Sequence, residues 1–153
     1  FHPHKNHKHH KTMQNAINAF IEWEKEHEVV YHYSEKKIAN PRHFYAGTLD
    51  FEATVDGELA IGDIKTSNGI YPEFRLQTAA YLEARKSETK QNYKARWCIR
   101  VGKETKKDQN GLETVEFEAK RYGKEDQKKD FQAFIAALTL YRRMNELKHG
   151  YKN

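Results

Sequence analysis

The dipeptide Asp56-Gly57 constrains this chain more than any other pair of residues. Asp-Gly suits a two-residue type I′ hairpin loop, whose central positions both need a positive φ. Upstream, Phe44 to Val55 alternates between apolar and polar residues; downstream, Glu58 to Lys65 reads as the returning strand. A two-residue loop sets Val55 opposite Glu58, Ala53 opposite Ala60, Asp50 opposite Asp63 and Thr48 opposite Lys65. Alternation then puts Asp50, Asp63 and Lys65 on one face, and Leu49, Phe51, Ala53, Ala60 and Ile64 on an apolar face.

Two carboxylates facing each other across a hairpin repel, and a fold gains nothing from that. A hard divalent cation turns the repulsion into ligation, and Mg²⁺ needs few protein oxygens because it keeps several waters. Lys65, two residues beyond Asp63, is placed to orient an attacking water or to stabilise charge on a phosphate oxygen. An ordinary solvated hairpin face, its acids paired with Lys65 and other lysines, accounts for the same residues.

Around the hairpin the chain reads αβββαββα. Met13, Ala16, Ile17, Phe20, Ile21 and Trp23 recur at helical spacing after Thr12, giving a helix over about residues 13–27. Val29 to Ile38 is a strand ended by Asn40-Pro41, and Pro72 opens a second helix running to about Arg85. Strands follow at Lys94–Val101 and Glu113–Tyr122, joined by a polar loop from Gly102 to Gly111, and a helix closes the chain from about Lys124 to Leu147. The expected fold class is therefore α/β, with a central mixed sheet of about five strands flanked by helices.

With 153 residues, one domain is expected over 12–150, preceded by a flexible His/Lys-rich arm at 1–11 that holds five of the nine histidines. The single Cys98 excludes an intramolecular disulfide and a cysteine-based zinc site. No apolar run is long enough for a membrane span, and the N-terminal residues lack the apolar segment of a secretory signal, so a cytoplasmic, non-membrane protein is expected. The start at Phe1 suggests a fragment or processed product. A net charge of +5 permits nucleic acid without requiring it. Two basic clusters, Arg85–Lys86–Lys90–Lys94–Arg96 and Lys120–Arg121–Lys124–Lys128–Lys129, can follow a phosphate backbone or form solvated surface.

Three runs shift this balance: Tyr45-Ala46-Gly47-Thr48-Leu49-Asp50, Gly62-Asp63-Ile64-Lys65-Thr66-Ser67 and Gln77-Thr78-Ala79-Ala80-Tyr81. In order and spacing they resemble the G-x-x-D, (D/E)-x-K and Q-x-x-x-Y motifs of the PD-(D/E)XK nuclease superfamily. The likeness is strongest to its RecB-type branch, which includes the RecB nuclease domain and phage and CRISPR-associated exonucleases. It spans roughly residues 28–100.

The resemblance implies a restriction-endonuclease-like core and a Mg²⁺- or Mn²⁺-dependent deoxyribonuclease. Within it, Asp50, Asp63 and the Ile64 carbonyl are implied as metal ligands and Lys65 as the catalytic lysine. Gln77 and Tyr81, at i and i+4 on one helix face, would border the site and position DNA, with Arg75, Thr66 and Ser67 as further DNA contacts. A further ligand from an upstream element is implied, with Glu35 ranked ahead of Glu24, His27, His9 and His10. A fragment lacking an upstream helix would lack that ligand and be inactive. The implied function is an exonuclease of phage or bacterial recombination or repair, acting on DNA with recombination or repair proteins as candidate partners. The alternatives are a non-catalytic DNA-binding or assembly domain that keeps the scaffold, and a metal-dependent endonuclease.

Overall fold

The computed structural model of the chain describes residues 4–150, with side chains described from His10 onward. Its elements are α1 (His4–Glu26), β1 (Val29–Asn40), β2 (Tyr45–Val55), β3 (Glu58–Thr66), α2 (Pro72–Thr89), β4 (Ala95–Lys107), β5 (Glu113–Tyr122) and α3 (Gln127–His149). The order is the αβββαββα read from the sequence. The five strands form one sheet in sequential order, β1-β2-β3-β4-β5. Only β3 and β4 are parallel, because α2 carries the chain back across the sheet between them. The fold is thus α/β, with a mixed five-stranded sheet flanked by helices.

The Asp56-Gly57 turn forms as expected, with φ of 51° and 79° at its two residues. Its register pairs Val55 with Glu58, Ala53 with Ala60 and Phe51 with Gly62. Phe51, Ala53, Val55 and Ala60 face α1, where they pack with Trp23, Trp97 and Ile99. On the opposite face, Leu49, Ile38 and Ile61 pack with Leu82, Ala84 and Tyr93.

Leu49 therefore lies on the α2 side, whereas strict alternation puts it beside Phe51. The parity of β2 changes at Asp50. Across from it, between the pairs Ser34–Phe51 and Lys36–Leu49, stands Glu35 with a φ of 51°. A left-handed residue in a strand breaks the pleat and re-aims neighbouring side chains. Ile64, also expected on the apolar face, is 39% exposed.

Other boundaries moved as well. Helix α1 begins at His4, so residues 4–11, expected as a flexible arm, are helical in backbone; residues 1–3 lie outside the described residues. Strand β4 runs to Lys107, and the expected loop at 102–111 shrinks to a turn. Asp108 holds that turn, its Oδ1 accepting the N–H groups of Asn110 and Leu112. Along α3, Tyr141 and Leu147 are 65% and 62% exposed.

Two buried ion networks fasten α2 and α3 over the sheet. Glu52 accepts from Arg85 Nε at 2.5 Å and from the Tyr93 hydroxyl at 2.9 Å. Fully buried Arg96 donates to Asp130 at 2.5 Å, and Asp130 also accepts from Arg75 at 2.8 Å.

Gly62 is where β2 and β3 approach most tightly. A Cβ there would sit 1.9 Å from the Phe51 ring. Gly62→Ala is expected to destabilise the domain by about 1–3 kcal/mol through overpacking. A urea melt that overlays wild type would show the ring moving aside at no cost.

Candidate active site

The β2–β3 ladder stops at Phe51–Gly62, and the parted strand ends make the site. Asp50 fills the opening: its Oδ2 accepts the backbone N–H of Ile64 at 2.6 Å. Asp63 lies beside it on the α2 side of the sheet and is only 4% exposed. The two acids that the hairpin register brings opposite each other are therefore adjacent.

Lys65 points the same way along β3. Its ammonium lies 2.9 Å from Asp63 Oδ2 and donates to Gln77 Oε1 at 2.7 Å. Gln77 Nε2 in turn donates to the Tyr81 hydroxyl at 2.8 Å. The i, i+4 spacing in α2 thus yields one chain of contacts, Asp63–Lys65–Gln77–Tyr81. Gly47 admits the Tyr81 ring, since a Cβ there would lie 2.7 Å from it.

The electrostatics follow from this crowding. Burial pushes the Asp63 carboxyl above its ordinary 3.8; the Lys65 ammonium offsets part of that rise, and the Asp50 charge adds to it. Burial also raises the Tyr81 hydroxyl, and the charges of Asp63 and Asp50 raise it further. Negative potential from both acids therefore extends across the site to α2.

Lys65 sits near Asp63 Oδ2 but off the hydrogen-bonding direction. That oxygen is buried without a hydrogen-bond donor. A buried carboxylate oxygen that makes no aligned hydrogen bond, next to a second carboxylate, fits a hard divalent cation such as Mg²⁺ or Mn²⁺. Asp50 and Asp63 are the side chains that would hold it, with the Ile64 carbonyl between the strand ends as a third oxygen.

No third acid joins them: among the described residues, no three His, Cys, Asp or Glu side chains converge on a point suited to a metal. Glu35 stands at the register position of Asp50, but its side chain is exposed. Glu24 is bonded to the Tyr31 hydroxyl, and His27 to Asp56. His10 is exposed, and the His9 side chain lies outside the described residues.

Of the residues read as DNA contacts, Gln77 and Tyr81 are in the site. Thr66 is exposed at its edge, and the Ser67 hydroxyl donates to Gly69 O at 2.8 Å, shaping the loop beyond Lys65. Arg75 is engaged elsewhere, in ion pairs with Asp126 at 2.6 Å and Asp130 at 2.8 Å. Two further residues serve the site. Phe74 lies under the Lys65 ammonium, 5.1 Å from ring centre to nitrogen. Arg100, 8% exposed, donates to Ser67 O and to Glu116. Phe74 was legible as the first member of an i, i+3, i+7 stripe with Gln77 and Tyr81. Arg100 carried no such signal.

The chain matches no protein-family model, and no curated protein matches its sequence.

The raised Asp63 carboxyl has a thermodynamic consequence. Between 3.8 and its folded value, the metal-free folded state binds more protons than the unfolded chain, so stability falls as pH rises through that window. Asp63→Asn removes the dependence. Melting in EDTA from pH 4 upward is expected to show wild type losing ground to the variant as pH rises. A constant gap between the two would contradict the assignment.

Proposed function

We propose that this domain is a metal-dependent DNA nuclease of the PD-(D/E)XK superfamily, RecB type, which hydrolyses phosphodiester bonds. The carrying observation is the pair Asp50–Asp63 at the parted strand ends, with a buried Asp63 oxygen that makes no aligned hydrogen bond and is ion-paired to the Lys65 ammonium. Both acids, the lysine and the Gln77–Tyr81 pair come from the three runs that carry the resemblance. We read the restriction-endonuclease-like core, an exonucleolytic action, and a role in phage or bacterial recombination or repair from that resemblance.

A bound Mg²⁺ or Mn²⁺ would supply positive charge against a phosphate oxygen and lower the pKa of a coordinated water. The chain's own residues do the rest. Asp50 and Asp63 fix the place of the positive charge. Lys65, anchored by Gln77, presents ammonium hydrogens to a non-bridging phosphate oxygen or to the attacking water. Tyr81 fixes the Gln77 amide, so the lysine keeps its direction. Among the described residues no helix is long and apolar enough to cross a membrane, which accords with a DNA substrate reached from solution.

A second reading, a non-catalytic DNA-binding or assembly domain, is favoured by the lack of a third converging acid among the described residues. The experiment is Mn²⁺-dependent digestion of linear duplex, single-stranded and closed circular DNA by wild type and Asp63→Asn. Digestion of linear DNA by wild type alone supports the nuclease, and cleavage of closed circles makes it an endonuclease. No cleavage of any substrate, with Mn²⁺ binding equal in the two proteins, leaves the non-catalytic reading.

A further inference from the structure

The two basic clusters of the sequence do not behave as two surface strips. Arg85 and Arg96 turn inward to Glu52 and Asp130. Four of the lysines, two from each cluster, meet: Lys86 at the end of α2, Lys94 before β4, and Lys124 and Lys128 around the start of α3 line one cavity of about 420 Å³. Its lining residues on α2, Leu82, Glu83 and Lys86, lie five to nine residues along the helix from Gln77, a rise of about 8–13 Å.

Glu83 is the one carboxylate lining the cavity, and it is already paired with Lys86 at 3.2 Å. Among the described residues Lys94, Lys124 and Lys128 have no salt-bridge partner. Lys124 donates to Asn92 Oδ1 at 2.8 Å, which holds its ammonium at the rim. Desolvation and the charges of Lys94 and Lys86 lower its pKa, a sign of crowded like charge. Like charges gathered in a concavity cost stability unless an anion relieves them.

Two more features suit an anion with several oxygens. Gln127 and Lys128, the first residues of the 23-residue helix α3, line the cavity, so the positive end of that helix faces it. The Asp126 side chain does not cap the helix, because it is engaged with Arg75. Gln127 is 8% exposed, and its buried Oε1 has no donor, although Nε2 is bonded to Ala79 O and Glu83. That oxygen is an acceptor, so it can take a hydrogen bond from a bound water or from the hydroxyl of a protonated pyrophosphate, while a phosphodiester would reach it only through water.

We propose that this lysine-lined cavity is a phosphate-binding site, separate from the carboxylate pair, that takes a diphosphate or consecutive phosphates of a nucleic-acid strand. The proposal stands whether or not the domain cleaves DNA, so its test is a binding measurement in EDTA.

Two probes distinguish the sources of phosphate. Inorganic pyrophosphate, titrated into isotope-labelled protein, is expected to shift the backbone amides of Lys94, Lys124 and Lys128. K94Q/K124Q is expected to weaken that binding by about tenfold or more. A labelled single strand of about a dozen nucleotides, followed by anisotropy, is expected to lose affinity with the same substitutions. Its slope of log affinity against log salt should also fall by about 1.4. A response to pyrophosphate alone assigns the site to a free phosphate ligand; a response to the strand assigns it to nucleic acid. If neither probe distinguishes K94Q/K124Q from the matched pair K103Q/K107Q, the proposal is overturned. Pyrophosphate shifts confined to Asp63 and Lys65 overturn it equally. Thermal melting checks the fold, and K128Q provides a second variant.

Discussion

Asp63→Asn is expected to abolish the proposed Mn²⁺-dependent DNA cleavage, with a fall on the order of 10³-fold or more, while the folded domain survives. Asp63 bears more of the proposed chemistry than its neighbours because of its position. It is nearly buried, it lies between Asp50 and Lys65, and its Oδ2 makes no aligned hydrogen bond. The amide keeps the size and shape of the side chain but removes the charge that a cation needs. The same loss of charge relieves the repulsion with Asp50, so the metal-free variant should melt no lower than wild type. Lys65→Ala should lower cleavage by about 10²–10³-fold, the usual effect of removing one donor to a developing negative charge. A DNA-digestion time course with melting curves in EDTA checks both. Full activity in Asp63→Asn would remove the residue from the site. Inactivity accompanied by a lower melting temperature would mean that the acid is structural.

The largest effect on stability is expected at Asp130, far from the proposed chemistry. Asp130→Ala should cost about 3–5 kcal/mol, the range for breaking a buried ion pair by removing one partner. Arg96 is fully buried and donates to Asp130, to the Arg75 carbonyl at 2.7 Å and to Thr78 at 3.3 Å. Without Asp130, the buried Arg96 loses its carboxylate beside a second guanidinium, and Arg75 keeps only Asp126. Folded domains hold only about 5–15 kcal/mol of net stability, so a loss of this size takes away a large part. Arg96→Met in the Asp130→Leu background should recover much of it, because an apolar pair escapes the desolvation cost of the charges. Urea melts of the single and double variants check this. A single variant within 1 kcal/mol of wild type would show that water reaches Arg96.

The sequence told most where a local rule acts alone. Asp56-Gly57 requires positive φ at two residues, and it placed Val55–Glu58 and Ala53–Ala60 correctly. It also brought Asp50 and Asp63 together. The i, i+4 rule placed Gln77 and Tyr81 on one side of α2, where they do bond to each other. Leu49 was misplaced because the pleat changes parity at Asp50. The cause lies partly on another strand, at Glu35, and a glutamate with positive φ leaves no trace in composition. Arg75 looked free for DNA because its partners, Asp126 just before α3 and Asp130 in its first turn, lie about fifty residues away in the chain. The arrangement of the basic clusters was hidden for the same reason. Which lysines face a common cavity and which arginines turn inward depends on how α2, β4 and α3 meet, and no spacing rule records that.

The bond from Asp50 Oδ2 to the Ile64 N–H has a consequence for observing the site. Most amides in a sheet exchange with solvent at rates set by opening of the backbone ladder. The Ile64 amide sits just past the last β2–β3 rung, and its protection depends on one carboxylate. Its hydrogen-exchange rate and its chemical shift therefore answer to whatever engages Asp50, whether a proton or a cation. A single backbone proton can thus serve as a gauge of site occupancy, readable without cleaving any substrate.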